Sequence, residues 1–280
     1  MTDRLSWVLG ASSCILGGSD NHNKDGFSKY ARAGIKYCEL TLWPSGMEKH
    51  DFFNNPQKLN KMINNCGVSV YSVHLPFTEG VTLSSPDKEE TRKSIEMMKK
   101  VTELSAQIGA KVVVVHPSAG HYDEWESRED LLRHSIACVK EVSEYADSFG
   151  LKCAVENMIP RGIGNTADEI MLYLNEAPTL GLCFDLNHSL IQTNREFFDK
   201  LIETGMQKRI YHIHVSDYDF KDERHLLPME GVNDWEMILD KLEQLDYTGA
   251  FMYEVPSENA TLDEIAQNYN HLMKRQGLII

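Results

Sequence analysis

The 280-residue chain lacks any apolar stretch long enough to cross a bilayer, since its strongest run, Val112 to Val115, is stopped at once by His116 and Pro117. Positive charge is scarce: 28 Lys plus Arg stand against 42 Asp plus Glu, and the net charge of −14 disfavours nucleic acid or anionic lipid as a partner. The six cysteines form no C-x-x-C pair, and several sit in apolar strand patterns where a reduced thiol behaves as a small hydrophobe, so a reducing, cytoplasmic setting is expected. No Pro/Gly/Ser-rich linker or low-complexity tract marks a second domain. No G-x-G-x-x-G follows a strand, which disfavours a doubly wound open sheet. Leu5 to Leu16 resembles a signal-peptide core, but Asp3 cancels Arg4 and Ser6, Ser12 and Ser13 interrupt it, so it reads as a first strand.

What is present is ordinary globular material, 42% hydrophobic and 25% charged, enough for a sizeable core. One unit recurs: a helix-ending glycine, an apolar residue, then a strand. It appears as Gly34-Ile35-Lys36, Gly67-Val68-Ser69, Gly109-Ala110-Lys111 and Gly150-Leu151-Lys152. Continuous apolar runs such as Val112 to Val115 suit a parallel sheet covered on both faces. Ser85 with Pro86 is expected to open one helix, carrying Ile95, Met98, Val101, Ser105 and Ile108; Ser127 with Asp130 opens another, carrying Leu132, Ile136, Val139 and Val142.

Strands are expected near Trp7–Ser12, Tyr37–Leu40, Val68–His74, Lys111–His116, Cys153–Glu156, Leu180–Asp185, Ile210–His214 and Gly249–Glu254, each followed by a helical pattern. Eight such units over this length leave about 35 residues apiece, which fits strand, loop, helix and loop. The expected fold is one closed α/β (β/α)₈ TIM barrel spanning residues 1–280.

The strands end on chemistry. Glu39 lies within the second, and later runs terminate at His74, His116, Glu156, Asp185, His214 and Glu254, each about one unit from the last. A barrel brings such residues round its carboxy-terminal rim, where barrel active sites form. Singly, each is most often a satisfied structural group; six in register are not. Converging imidazoles and carboxylates either surround a divalent metal or share protons with a polar ligand, and the metal is the stronger reading because three carboxylates in one mouth repel without a cation. The mixed N/O set suits Zn²⁺ or Mn²⁺ first, then Co²⁺, Fe²⁺ or Mg²⁺. His188, Glu223 and His225 lie just past the rim as second-metal or substrate-binding candidates. His212, one layer deeper, reads as a core hydrogen-bonding group. Trp43, Phe77 and Trp235 are candidates for an apolar wall, and Arg161, Arg195 and Arg224 are the nearest cations for a phosphate.

An ordered set of segments resembles the xylose isomerase-like TIM barrels, which include sugar-phosphate isomerases, epimerases and endonuclease IV-type enzymes. The set comprises Val73-His74-Leu75-Pro76-Phe77, Val115-His116-Pro117-Ser118, Val155-Glu156-Asn157, Cys183-Phe184-Asp185-Leu186-Asn187-His188, His212-Ile213-His214-Val215-Ser216-Asp217, the stretch His225 to Trp235, and Tyr253-Glu254. The epimerase-like members imply that Glu156, Asp185, His214 and Glu254 bind one divalent ion, that Glu156 and Glu254 also flank the substrate carbon, and that His188 contacts substrate oxygens. The endonuclease-like members imply that His74 and His116 join Glu156 around one zinc, while His188 and His225 join an acid around another.

Three features depart from the endonuclease pattern. Glu223-Arg224-His225 stands where Asp-Arg-His is usual, the strand-four turn reads His116-Pro117-Ser118 instead of His-Pro-Gly, and the loop from Trp43 to His50 carries only Lys49 as a fixed cation. Met229 stands where the isomerase-like members have glycine. The function expected is therefore a metal-dependent sugar or sugar-phosphate isomerase or epimerase working through an enediolate, with a carbohydrate substrate. The alternatives are a multinuclear zinc phosphodiesterase on abasic DNA and a silent metal-retaining binding protein. A homo-oligomer is compatible with the sequence.

Overall fold

A computed structural model describes residues 7–42, 49–78 and 80–275. Eight parallel strands close in sequence order: β1 (Leu9–Ser12), β2 (Tyr37–Thr41), β3 (Ser69–His74), β4 (Val112–Val115), β5 (Lys152–Glu156), β6 (Leu180–Asp185), β7 (Ile210–Val215) and β8 (Phe251–Tyr253). The ring is completed by β8 pairing with β1, Ala11 opposite Tyr253. Helices α1 (Lys24–Arg32), α2 (Asp51–Asn54), α3 (Pro56–Asn65), α4 (Lys88–Gln107), α5 (Arg128–Ser148), α6 (Ala167–Glu176), α7 (Asn194–Glu203), α8 (Trp235–Gln244) and α9 (Leu262–Arg275) cover the outside. The expected barrel is the observed one. No helix among the described residues is long and apolar enough to cross a membrane.

Local chemistry explains the boundaries. Gly34, Gly67, Gly109 and Gly150 all take positive φ, between 72° and 80°, so each closes its helix in the left-handed conformation that glycine alone enters without strain. Ser127 caps α5 by accepting from Asp130 N, as expected. The opening of α4 differs by two residues: Asp87, not Ser85, is the cap, its Oδ1 accepting from Glu89 N and Glu90 N, because a carboxylate there also favours the positive end of the helix dipole. Ser85 instead accepts from Asp87 N and donates to Glu90. The apolar faces of α4 and α5 bury Met98, Val101, Ile108, Val139 and Val142 against the strands.

Candidate active site

The strand ends converge as one cup. Glu156 and Asp185 are the last residues of β5 and β6, His214 is the penultimate residue of β7, and Glu254 follows β8 directly. Register makes the neighbours: Asp185 pairs with His214 and Glu156 with Cys183. One donor atom from each of Glu156, Asp185, His214 and Glu254 lies within 4.8 Å of all the others. His214 Nδ1 is 2.9 Å from Glu254 Oε2, 3.5 Å from Glu156 Oε1 and 3.8 Å from Asp185 Oδ2. Three carboxylates at such spacing repel by about 3 kcal/mol per pair at an effective dielectric constant of ~20.

Several of the surrounding groups are held from behind. Asp185 Oδ1 accepts from Asn187 N at 2.6 Å, and Asn157 grips the Asp185 backbone twice, accepting from its N–H and donating to its carbonyl. His74 Nδ1–H donates to its neighbour's carbonyl, Leu75 O, at 2.9 Å, so its Nε2 lone pair faces Glu156 Oε2 at 3.2 Å; His116 Nε2 meets the same oxygen at 3.3 Å. Likewise His188 Nδ1–H donates to Asn157 O, leaving Nε2 against Glu223 Oε2 at 3.1 Å. A lone pair opposite a carboxylate oxygen requires a proton or a cation between them. The proton is the metal-free answer: burial works against charging His188, but Asp185, Glu223 and Glu156 push its pKa up to about 10. Burial likewise opposes ionisation of Glu254, yet His214 pulls it down to about 2.

The arrangement fits a divalent cation. Asp185 Oδ2 and His214 Nδ1 are buried without a hydrogen-bond partner and both point into the four-donor cluster. Four triplets also have ligand spacing: His74/His116/Glu156 and His188/Glu223/His225 beside the cluster, and Glu39/His212/His214 and Glu156/Cys183/His214, which share its residues. The longer acid at Glu223 thus comes within ligand spacing of His188 and His225.

A cavity of about 420 Å³ opens above this floor, with Glu156, Glu254, His116, His188, Glu223 and His225 on its polar side and Phe77, Tyr122, Met158, Ile159 and Pro256 on the other. Phe77 stacks on His116 with ring centroids 3.8 Å apart, as an apolar wall would require. Trp235 does not belong to that wall. It is buried at the start of α8 and donates Nε1–H to Asp217, because an indole beneath a loop satisfies its one donor locally. Trp43 lies outside the described residues. Arg161, Arg195 and Arg224 are spent on the surface beside Asp123, Asp234 and Asp219, and among the described residues no Arg or Lys lines the cavity.

Reading along the sequence missed Asp217 and undervalued Glu39. Asp217, fully buried, accepts from four donors and shapes the loop carrying Glu223 and His225. Glu39 is fully buried beneath the cluster, its Oε2 accepting from Ser72 Oγ at 2.8 Å and from His212 Nε2 at 3.0 Å. The signal for Glu39 was a charge inside an otherwise apolar strand. His212 is the core hydrogen-bonding group expected.

A family model of xylose isomerase-like TIM barrels matches residues 27–275. An uncharacterized protein of Methanocaldococcus jannaschii, MJ1311, is 29% identical over 189 residues, 65% of this chain and 63% of its own length, so the match spans a little under two thirds of that relative. An L-ribulose-5-phosphate 3-epimerase of Shigella boydii, UlaE, is 26% identical over 202 residues, 69% of this chain and 67% of its own. Among solved structures, a D-tagatose 3-epimerase-like protein superposes with a TM-score of 0.78 at 23% identity, covering 96% of both chains.

Proposed function

Because the chain belongs to the xylose isomerase-like TIM barrel family, we propose that it is a divalent-metal-dependent sugar isomerase or epimerase in which Glu156 and Glu254 move the proton. One observation carries this reading: four donors delivered by four strand ends, three of them carboxylates, meet within 4.8 Å, and two of them, Glu156 and Glu254, line a cavity. Similarity to sugar epimerases supports the substrate class.

A divalent cation held by Glu156, Asp185, His214 and Glu254 would supply a Lewis acid for a substrate carbonyl and its neighbouring hydroxyl. The chain's own residues do the rest. Glu156 and Glu254 are both ionised at neutral pH, because His214 beside them outweighs the burial that would raise them. Either can therefore accept the proton from the carbon next to the carbonyl, generating the enediolate. In an isomerisation the same carboxylic acid returns the proton to the adjacent carbon. In an epimerisation the opposite face is protonated by the other carboxyl, which must first take up a proton from solvent, while the first carboxyl later releases the one it abstracted. His188, on the cavity wall, offers Nε2–H to a substrate oxygen. Phe77, Met158 and Ile159 keep water from the intermediate.

The test is exchange of a substrate C–H proton into D₂O across a panel of ketoses, polyol ketones and their phosphates. Glu254→Gln is expected to lower that exchange by about 10²–10⁴-fold with an unchanged circular dichroism spectrum; full activity in this variant would contradict the assignment.

A second reading has its own observation: the donor triplets His74/His116/Glu156 and His188/Glu223/His225 flank the central four. They support a multinuclear zinc phosphodiesterase attacking abasic DNA. Elemental analysis separates the two, since two or three zinc ions per chain with salt-sensitive DNA cleavage favour the second, and one ion with solvent-proton exchange favours the first.

A further inference from the structure

Beneath the four-donor cluster, His214 is the one member with a second ring nitrogen, and that nitrogen points away from the cavity. Nε2 lies 3.1 Å from Glu39 Oε1 as an ion-pair contact, and both atoms are buried with no hydrogen-bond partner. The other Glu39 oxygen is occupied by Ser72 and His212. Glu39 is fully buried, and its ion-pair partners among the described residues are these two imidazoles. A buried carboxylate with one oxygen reserved for a ligand imidazole is costly to keep for packing alone, since an apolar residue would fill a barrel interior without desolvating a charge. Its geometry has a chemical consequence: a carboxylate accepting from one imidazole nitrogen forces the other to present its lone pair.

We propose that Glu39 is a positioning residue, anchored by Ser72 and His212, that holds the proton of His214 on Nε2 so that Nδ1 faces Glu156, Asp185 and Glu254 as a cation ligand. The inference rests on the metal-dependent reading above but concerns a residue that does not line the cavity. The β2–β3 register places Ser72 directly opposite Glu39, and β6–β7 places His214 opposite Asp185, so the fold fixes both ends of the chain of contacts.

The experiment is a Zn²⁺ titration against a chromophoric chelator, with ¹H–¹⁵N correlation spectra of the ¹⁵N-histidine-labelled, Zn²⁺-loaded protein. The wild type is expected to show an exchange-protected, downfield Nε2–H for His214. Glu39→Gln is expected to weaken Zn²⁺ by about 10–100-fold and to shift or broaden that proton. His212→Gln, whose side-chain amide can still donate to Glu39 Oε2, keeps the carboxylate anchored and is expected to leave affinity within about twofold, which separates loss of the carboxylate's position from a general disturbance of the barrel core. If Glu39→Gln does not fold, Ser72→Ala perturbs the same carboxylate more gently, and several-fold weaker Zn²⁺ binding is expected. A wild type that takes up no divalent cation overturns the metal reading and this inference together. A wild type that binds Zn²⁺ without a protected Nε2–H, or folded variants at Glu39 and Ser72 with undiminished affinity, overturns this inference alone.

Discussion

Asp217 offers the sharpest quantitative test of how the site is built. Its Oδ1 accepts from Tyr218 N and Asn233 N, both at 3.0 Å, and its Oδ2 accepts from Met229 N at 3.0 Å and Trp235 Nε1 at 2.8 Å. Replacing it by Asn preserves shape but turns one oxygen into an NH₂ group. Whichever oxygen is replaced, two N–H donors then face another donor, so two charge-assisted hydrogen bonds are lost. At about 1.5–3 kcal/mol each, the expected destabilisation is about 3–6 kcal/mol. For a chain of this size, where 1 kcal/mol moves Tm by about 2–4 °C, the midpoint should fall by roughly 6–24 °C. The assay is thermal and urea unfolding followed by circular dichroism. Because the loop that Asp217 organises carries Glu223 and His225, the folded fraction of the variant should also lose ligand-induced stabilisation. An Asp217→Asn protein melting within about 3 °C of the wild type would refute the reasoning, since neutral and charged acceptors would then serve equally in this buried pocket.

The same hub makes Gly231→Ala damaging, because a Cβ there would sit 2.3 Å from Tyr218 O and 2.4 Å from Asp217 Oδ1; a loss of about 1–3 kcal/mol is expected, and a neutral result would show that the loop is pliant. Acid should destabilise the fold through His22, whose imidazole is pushed down to about 3, first by burial and then by neighbouring His50. The unfolded chain takes up that proton near pH 6.5 and the folded chain does not. Stability present above pH 6.5 is therefore lost progressively down to about pH 3, at roughly 1.4 kcal/mol per pH unit. His22→Gln should flatten the urea-unfolding free energy against pH by about one proton over that window, and an unchanged slope would contradict the assignment. Chelation should lower Tm, with stability restored by adding back Zn²⁺ or Mn²⁺; a melting curve indifferent to both, on protein shown by elemental analysis to be metal-free, would remove the cation from the site.

Much of the architecture was written locally. Gly109 and Gly150 end helices because the left-handed closing conformation is read off a single residue type, and Val112 to Val115 announce a strand covered on both faces. The site was legible because a parallel barrel puts every strand end on one rim, so His74, Glu156, Asp185 and His214 could be grouped from spacing alone. The start of α4 was displaced because Ser85 and Asp87 are both good caps, and their competition is settled by which side chain reaches the first free N–H groups. Met229, where the resemblance implied glycine, adopts φ of 77°, a left-handed conformation that favours glycine.

By itself, then, the order of residues determined the number of strands, the closing glycines and the set of acids and imidazoles delivered to the rim, because periodicity and turn chemistry act over a few neighbours. Only the closed barrel decided that Trp235 props a loop while Phe77 lines the cavity, that Arg161, Arg195 and Arg224 turn outward to aspartates, and that Glu39 meets His214 from a strand 173 residues from His212 in the chain. Those are contacts between residues far apart in the chain. Their energies depend on distance and burial, and neither quantity exists until the ring has closed.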